Sequence, residues 1–309
     1  MKTIKGVKAF EKGLKCKGFQ FEENKEFVHK GELKICKSGF HFCENPLDTL
    51  DYYDLCNSDF AEVEAIGETE NHNNDSKITT NKLKIGLKID LKRFIELSFE
   101  YIWNKTKDKA SGNNSKLATS GDYSKLATSG NNSKLATSGN NSKLATSGYN
   151  SQLATSGNNS KLATSGYNSK LATSGYNSQL ATSGYNSKLA TSGYNSQLAT
   201  SGDYSQLATS GDYSKLATSG YNSKLATSGY NSQLATSGDY SQLEINGQNS
   251  VGANIGVNGI IKGKIGTWIT LAEYDCQGKC LCVKSAKIDG KKIKEDVWYK
   301  LENGKFTEH

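Results

Sequence analysis

One proline, Pro46, and one arginine, Arg93, are all that this 309-residue chain contains of either. Sequence-specific nucleic-acid readers and phosphate clamps rely on the arginine fork, so a net charge of +7 carried almost wholly by lysine speaks against both. A protein that mimics DNA is equally excluded, because it would need rows of carboxylates. No apolar run approaches the length of a membrane span, so no membrane partner is expected. The lysines of MKTIKGVKAFEKGLKC have no apolar stretch behind them, which predicts that there is no cleaved secretory signal. The seven cysteines are an odd number in two groups, Cys16, Cys36, Cys43 and Cys56, then Cys276, Cys280 and Cys282. They read as free thiols in a reducing cytoplasm rather than a disulfide framework.

What the chain has in abundance is one sentence repeated. SGYNSKLAT or a close variant runs fifteen times in unbroken register from Ser111 to Ile245. A unit with a single Leu, a Gly-centred polar turn and no proline cannot bury its own core, and must stack on its neighbours as a solenoid. The Ser-Lys-Leu-Ala-Thr segment alternates as a strand, which sends Ser115, Leu117 and Thr119 inward and Lys116 and Ala118 outward. An α-helix is the competing reading, and the Gly, Ser, Thr and Asn of every unit defeat it. The predicted core is the row Leu117, Leu126, Leu135, Leu144, Leu153, Leu162, Leu171, Leu180, Leu189, Leu198, Leu207, Leu216, Leu225, Leu234 and Leu243. Ser-Gly-Tyr-Asn makes the corner, with Gly expected to supply positive φ and Asn or Asp to tolerate it. Two units per turn give eighteen residues, two facing parallel sheets and seven to eight coils; three units per turn is the fallback. The variable slots form the display surface, represented by Lys116, Lys125, Tyr149, Tyr167, Tyr176, Tyr185 and Tyr194.

The period resembles that of calcium-binding β-rolls built on GGxGxDxUx. Aligned on the Leu, the calcium-ligating Asp is Ser here (Ser115, Ser124), and acidic residues occupy only the turns at Asp122, Asp203, Asp212 and Asp239. The coil geometry transfers and the calcium does not.

The fold class is therefore mainly β: an α+β domain over 1–108, the solenoid over 111–254 and a β-rich cap over 255–309. In the first part, strands are expected at Thr3–Phe10, Phe19–Phe21, Glu32–Cys36, Phe40–Cys43, Phe60–Ile66 and Ile78–Ile89, with a hydrophilic loop at Thr69–Asp75. Helices are expected from Pro46 behind Asn45 and over Leu91–Trp103, whose Leu91, Phe94, Ile95, Ser98 and Ile102 share a stripe. In the last part, a strand over Ile265–Tyr274, a hairpin turn at Asp289-Gly290 and a last hairpin of Val297–Leu301 with Asn303-Gly304 and Phe306 are expected.

The strings LKCKGFQFEENKEF, CKSGFHFCENPLDTLDYYD and DFAEVEAIG, then SGYNSKLAT arrays, then GTWITLAEYD with DGKKIKEDVWYKLENGKF, span nearly the whole chain. Together they resemble an uncharacterised family of phage and prophage proteins with an N-terminal domain of unknown function, short repeats and a β tail. The resemblance implies an origin and an organisation but no activity.

Cys36, His41 and Cys43, with Cys16 or Cys56 as a fourth ligand, are the best metal candidates. The C-x4-H-x-C spacing departs from the close pairs of zinc sites, and neighbouring strand positions are expected to face apart. Buried reduced thiols and a satisfied core His account for them as well. A triple of His41, Cys43 and Asp48, or an ADP-ribosyltransferase-like pocket with Gly39, Phe40, Tyr52 and Tyr53, is unspecific. No enzyme and no cofactor is expected. The Lys and Tyr rows could track a single-stranded nucleic acid, but stacking and solubility explain them more simply. The functional reading is a non-enzymatic, phage-type repeat protein in the cytoplasm of a bacterial host. Its solenoid presents a repeated surface to an unidentified protein partner or to a second copy of itself; the alternative is that the N-terminal domain carries a ligand-binding or enzymatic activity, with the solenoid as a spacer or dimerisation rod.

Overall fold

The computed structural model describes residues 3–34, 37–71, 76–106 and 112–309, the side chains at 99 and 103–106 excepted. Two compact units divide it, Met1–Asn104 and Lys105–His309. Among the described residues, no helix is long and apolar enough to cross a membrane.

The second unit is a parallel β-solenoid with two nonapeptides per turn. Each four-residue strand pairs in register with the strand eighteen residues on, Leu135 beside Leu153 and Leu144 beside Leu162. Odd and even units thereby build two separate sheets. Among the described residues nine parallel strands stack in each sheet, so the coil rises about 38 Å at about 4.8 Å per turn. From Leu135 to Leu243 every leucine of the ladder is at most 2% exposed, whereas Leu117 and Leu126 in the first turn are partly buried. Each buried Leu contributes about 1.5–3 kcal/mol, and one per nine residues is the main apolar return on ordering the unit.

The corners work differently from expectation. Repeat glycines do not supply the positive φ; with Gly112 as the exception, that falls to the residue two places later, Asn150 at 54° or Tyr204 at 56°. Its amide donates to the next coil, as Asn150 N does to the Tyr167 carbonyl at 2.9 Å. Glycine is required because coils stack backbone on backbone, and a Cβ on Gly148 would strike the carbonyl of Gly130. Inward hydroxyls complete the corner. Thr146 Oγ1 accepts from Gly148 N at 3.2 Å, and Ser151 Oγ donates to Gly148 O at 2.9 Å, so these buried polar groups are satisfied.

The coil does not stop at Asn254, although the repeat has lost its wording by then. Val251–Asn254 pairs in parallel with Trp268–Tyr274, and Gln242–Ile245 with Ile260–Gly263, adding turns beyond the seven to eight expected. Core volume is redistributed to allow this. Gly252 takes the place of a ladder Leu, and the space a Cβ would need there is filled by Ile245, standing at a Thr position, and by Ile261. Antiparallel strands then end both sheets: Cys280–Lys287 lies on Trp268–Tyr274, and Tyr299–Glu302 lies on Ile260–Gly263 and pairs with Lys305–Glu308. The last two form the expected hairpin, with Asn303 and Gly304 both at positive φ. Asp289-Gly290 is a loop in which Asp289 Oδ1 accepts from the amides of Lys291, Lys292 and Ile293, not a hairpin turn. These strands share the core of the coil through Ile288, Tyr299 and Leu301.

The first unit is an antiparallel sheet with one α-helix. Its strands are β1 (Ile4–Glu11), β2 (Lys15–Cys16), β3 (Phe19–Gln20), β4 (Glu26–Val28), β5 (Phe40–Cys43), β6 (Ser58–Ala65), β7 (Thr69–Asn71), β8 (Lys77–Thr80) and β9 (Lys82–Ile89). The main path runs β4-β9-β6-β1-β5-β8-β7. β8 and β9, expected as one strand, are separated by Asn81 alone and yet sit near opposite ends of that path, so the sheet curls back on itself. Thr69–Asn71 pairs with β8 instead of looping, and Lys34 makes only an isolated bridge to Ser38. Positions 72–75 and the 35–36 part of the expected Glu32–Cys36 strand lie outside the described residues. Pro46–Asp51 is a 3-10 helix capped by Asn45, whose side chain accepts from Leu47 N. In α1 (Leu91–Thr106), Phe94, Ile95, Ser98 and Ile102 are fully buried, as their stripe predicts, while Leu91 at its start is only half-buried. Ser98 Oγ donates to Phe94 O at 2.7 Å, and Arg93 Nε is bound to Glu62 at 2.8 Å.

Candidate functional site

Two surfaces remain once the positions that build the fold are set aside, one in each unit. On the coil, the 10-stranded sheet shows the clean alternation of a half-buried strand: Lys161 and Ala163 are exposed, Leu162 and Thr164 buried. Its outward row reads Lys125, Lys143, Lys161, Gln179, Gln197, Lys215, Gln233 and Val251, all exposed. Beside it runs a shallow trough lined by Ala127, Ala145 and their successors with the adjoining Thr and Ser, ending at Ile255. Lys116 belongs to the other sheet and is half-buried, so the lysines do not form one row.

Tyrosines line the corners in two columns. Tyr149 stacks on Tyr167 at 5.2 Å with rings 9° apart, and the column continues through Tyr185, Tyr204 and Tyr221 to Tyr240. The second runs Tyr176, Tyr194, Tyr213 and Tyr230. The switch from Tyr-Asn to Asp-Tyr leaves these columns intact, because Tyr204 from the second slot still meets Tyr185 and Tyr221 from the first. The displaced Asp is used too: Asp203 Oδ1 accepts from Tyr221 N at 2.8 Å. Where Asn keeps the second slot, amides bridge coils, as from Asn186 to Asn168 at 3.0 Å. Tyr149, Tyr167, Tyr176, Tyr185 and Tyr194 stay 46–59% exposed, and their first use is to hold coil to coil.

In the N-terminal unit a cleft of about 790 Å³ opens beside β1, β5 and the segment after the 3-10 helix. Sequence reasoning missed its central residue. Lys8 sits in the run IKGVKAF, which reads as a strand with lysines on the wet face, but Val7 to Phe10 are all buried. Lys8 is 5% exposed; its Nζ donates to His41 O at 2.9 Å, approaches Cys16 Sγ at 3.9 Å and lies 5.2 and 5.5 Å from the ring centres of Phe10 and Phe21. Burial lowers its pKa, opposed in part by the Cys16 and Cys43 thiols. Cys16 Sγ is also 3.1 Å from Tyr53 Oη, whose pKa burial and that contact push up. Lys77 Nζ stands 3.9 Å over the Tyr52 ring.

The expected metal ligands meet this cleft. His41 and Cys43, two apart on β5, lie on the same side of the strand rather than facing apart, and both line the cleft. Cys36 lies outside the described residues. Among the described residues no three His, Cys, Asp or Glu side chains come together as metal ligands. Burial, then Lys8, Lys77 and Lys17, lowers the His41 pKa to about 4. Asp48, considered as an orienting acid for His41, has one oxygen on Asn45 Nδ2 at 2.8 Å and the other on Ser76 N at 3.1 Å. Cys276 and Cys280 are exposed, and Cys282 Sγ donates to Glu273 at 3.6 Å.

Residues 4–97 match the model of a family described as a domain of unknown function, DUF7666. No curated protein and no solved structure matches the chain.

Proposed function

We propose that the protein is a non-enzymatic display scaffold of phage or prophage type, acting in the bacterial cytoplasm, whose coil binds an acidic protein partner along the 10-stranded sheet. The observation that supports this is the exposed row from Lys125 to Val251. It is about 34 Å long at strand spacing, is the part of the repeat on this sheet that the coil does not consume, and contains lysine but no carboxylate. A second copy docked on the same face would set lysine against lysine, so the charge favours a partner with acidic side chains over self-association. Near-identical units make affinity a matter of the number of turns engaged, as in any multivalent surface.

Retention on immobilised poly-L-glutamate, with a polythymidylate column as the parallel arm, tests the reading. Full-length protein should be held by polyglutamate and released in the variant Lys125→Glu/Lys143→Glu/Lys161→Glu. Removing one eighteen-residue turn at a time should weaken retention gradually. Equal retention of the triple variant, or stronger retention by polythymidylate, contradicts the proposal.

A further inference from the structure

We infer that the N-terminal cleft is a binding site for a small organic anion that joins a phosphate or carboxylate group to a flat ring. The inference does not depend on the role given to the coil. Four lysines, Lys8, Lys17, Lys37 and Lys77, line the cleft against one carboxylate, Glu11. Among the described residues Lys8 has no carboxylate partner: its neighbours are a carbonyl, a thiol and two ring faces. A buried cation is costly unless an opposite charge meets it, and a structural lysine would have been placed beside an Asp or Glu. A negative charge entering through the opening on which Lys8 borders would meet it and hold it protonated against the burial that lowers its pKa. Lys17 and Lys37 are exposed at the rim, where they draw an anion in without the desolvation that burdens Lys8.

The walls specify the rest of the ligand. Phe19, Phe21 and Phe40 form an edge-to-face cluster, with centroids 4.8 Å apart for Phe19 and Phe21 and 5.8 Å for Phe21 and Phe40, and Tyr52 and Tyr53 also line the cleft. Phe19 is half exposed although it borders an apolar cluster, which leaves a ring face open to a planar group. Inorganic phosphate alone would leave this aromatic lining unused. A neutral ring would leave Lys8 without an opposite charge.

Full-length protein titrated with adenosine diphosphate, inorganic pyrophosphate and adenosine as separate probes decides the matter, with calorimetry for affinity and the His41 ring followed by NMR. The diphosphate should bind, and more weakly as salt rises; pyrophosphate should bind at least tenfold more weakly and adenosine not measurably. Bound anion offsets the lysines that depress His41, so its midpoint should rise from about 4 in the complex. The rim variant Lys17→Gln/Lys37→Gln, which alters only exposed side chains, should lose at least tenfold in affinity, and Lys8→Met should abolish binding. Adenosine binding as tightly as the diphosphate, an unmoved His41 midpoint, or unchanged affinity in the rim variant would each overturn the inference. So would no binding of any probe. The polyglutamate experiment reads a different unit, so either proposal can fail alone.

Discussion

Lysine is used in opposite ways on the 10-stranded sheet of the coil and in the N-terminal sheet, although the 11-stranded sheet of the coil buries Lys170 and Lys188. On the coil, Lys125, Lys143 and Lys161 stand in an exposed row that continues as Gln179 and Gln197 without any change in the strands beneath. In the N-terminal sheet Lys8 is enclosed by Phe10, Phe21 and the His41 carbonyl, where no polar neutral side chain of another length would reach the same atoms. The difference separates a side chain that maintains a surface from one that defines a site. In the array, the residues that tolerate no exchange are those facing inward and the glycines whose backbones stack between turns. In the sheet, the costly residue is a charged one, and its cost is evidence of use.

Substitutions sharpen this contrast, and the largest effect should come from the backbone of the coil. Gly166→Ala places a Cβ against the Gly148 carbonyl, and the coil should lose more than about 4 kcal/mol, read as loss of cooperative thermal unfolding. Leu171→Ala should cost about 2–5 kcal/mol, and Leu117→Ala clearly less, because Leu117 is only partly buried in the first turn. Equal losses at 117 and 171 would mean that the first turn is covered as fully as the middle. Tyr167→Ala should remove about 0.5–1.5 kcal/mol, the worth of its contacts with Tyr149 and Tyr185. Lys143→Gln should stay within about 0.5 kcal/mol.

In the N-terminal unit the corresponding effect is on pH dependence. His41 titrates at about 4 when folded and at 6.5 as a free side chain, so below pH 6.5 the unfolded chain takes up the proton first. Stability of the sheet should fall from about pH 6.5 to about 4 and level off below. Hydrogen exchange at β5 should show this slope in the wild type and a shallower one in His41→Asn.

Much of the coil was legible in the sequence because a single residue type, Leu, recurs at fixed spacing and has one use. The two-unit turn and the inward Ser and Thr follow from that spacing. The role of glycine was not legible: a Gly needed for positive φ and a Gly needed for close stacking leave the same letter, and only the carbonyl above Gly148 distinguishes them. The turns beyond Asn254 were hidden because their core is conserved in volume and not in wording, with Ile245 filling the space of Gly252. In the N-terminal unit the bounds of β5 and the stripe of α1 were readable, as were His41 and Cys43 as notable residues, but not that these two share a side of the strand. Lys8 was not, since alternation assigns it to solvent and its burial depends on Phe21 and β5, which arrive from elsewhere in the chain.

The most direct test of the coil is a pair of engineered cysteine cross-links read by non-reducing electrophoresis and mass spectrometry. Lys143→Cys with Lys161→Cys joins adjacent strands eighteen residues apart, whose spacing of about 4.8 Å suits a disulfide. Lys143→Cys with Gln152→Cys, nine residues apart, places one thiol in each of the two sheets, the second at a buried position. Two units per turn predict rapid oxidation of the first pair and none within the chain for the second; the reverse result, or equal cross-linking of both, would contradict the coil and the exposed row built on it.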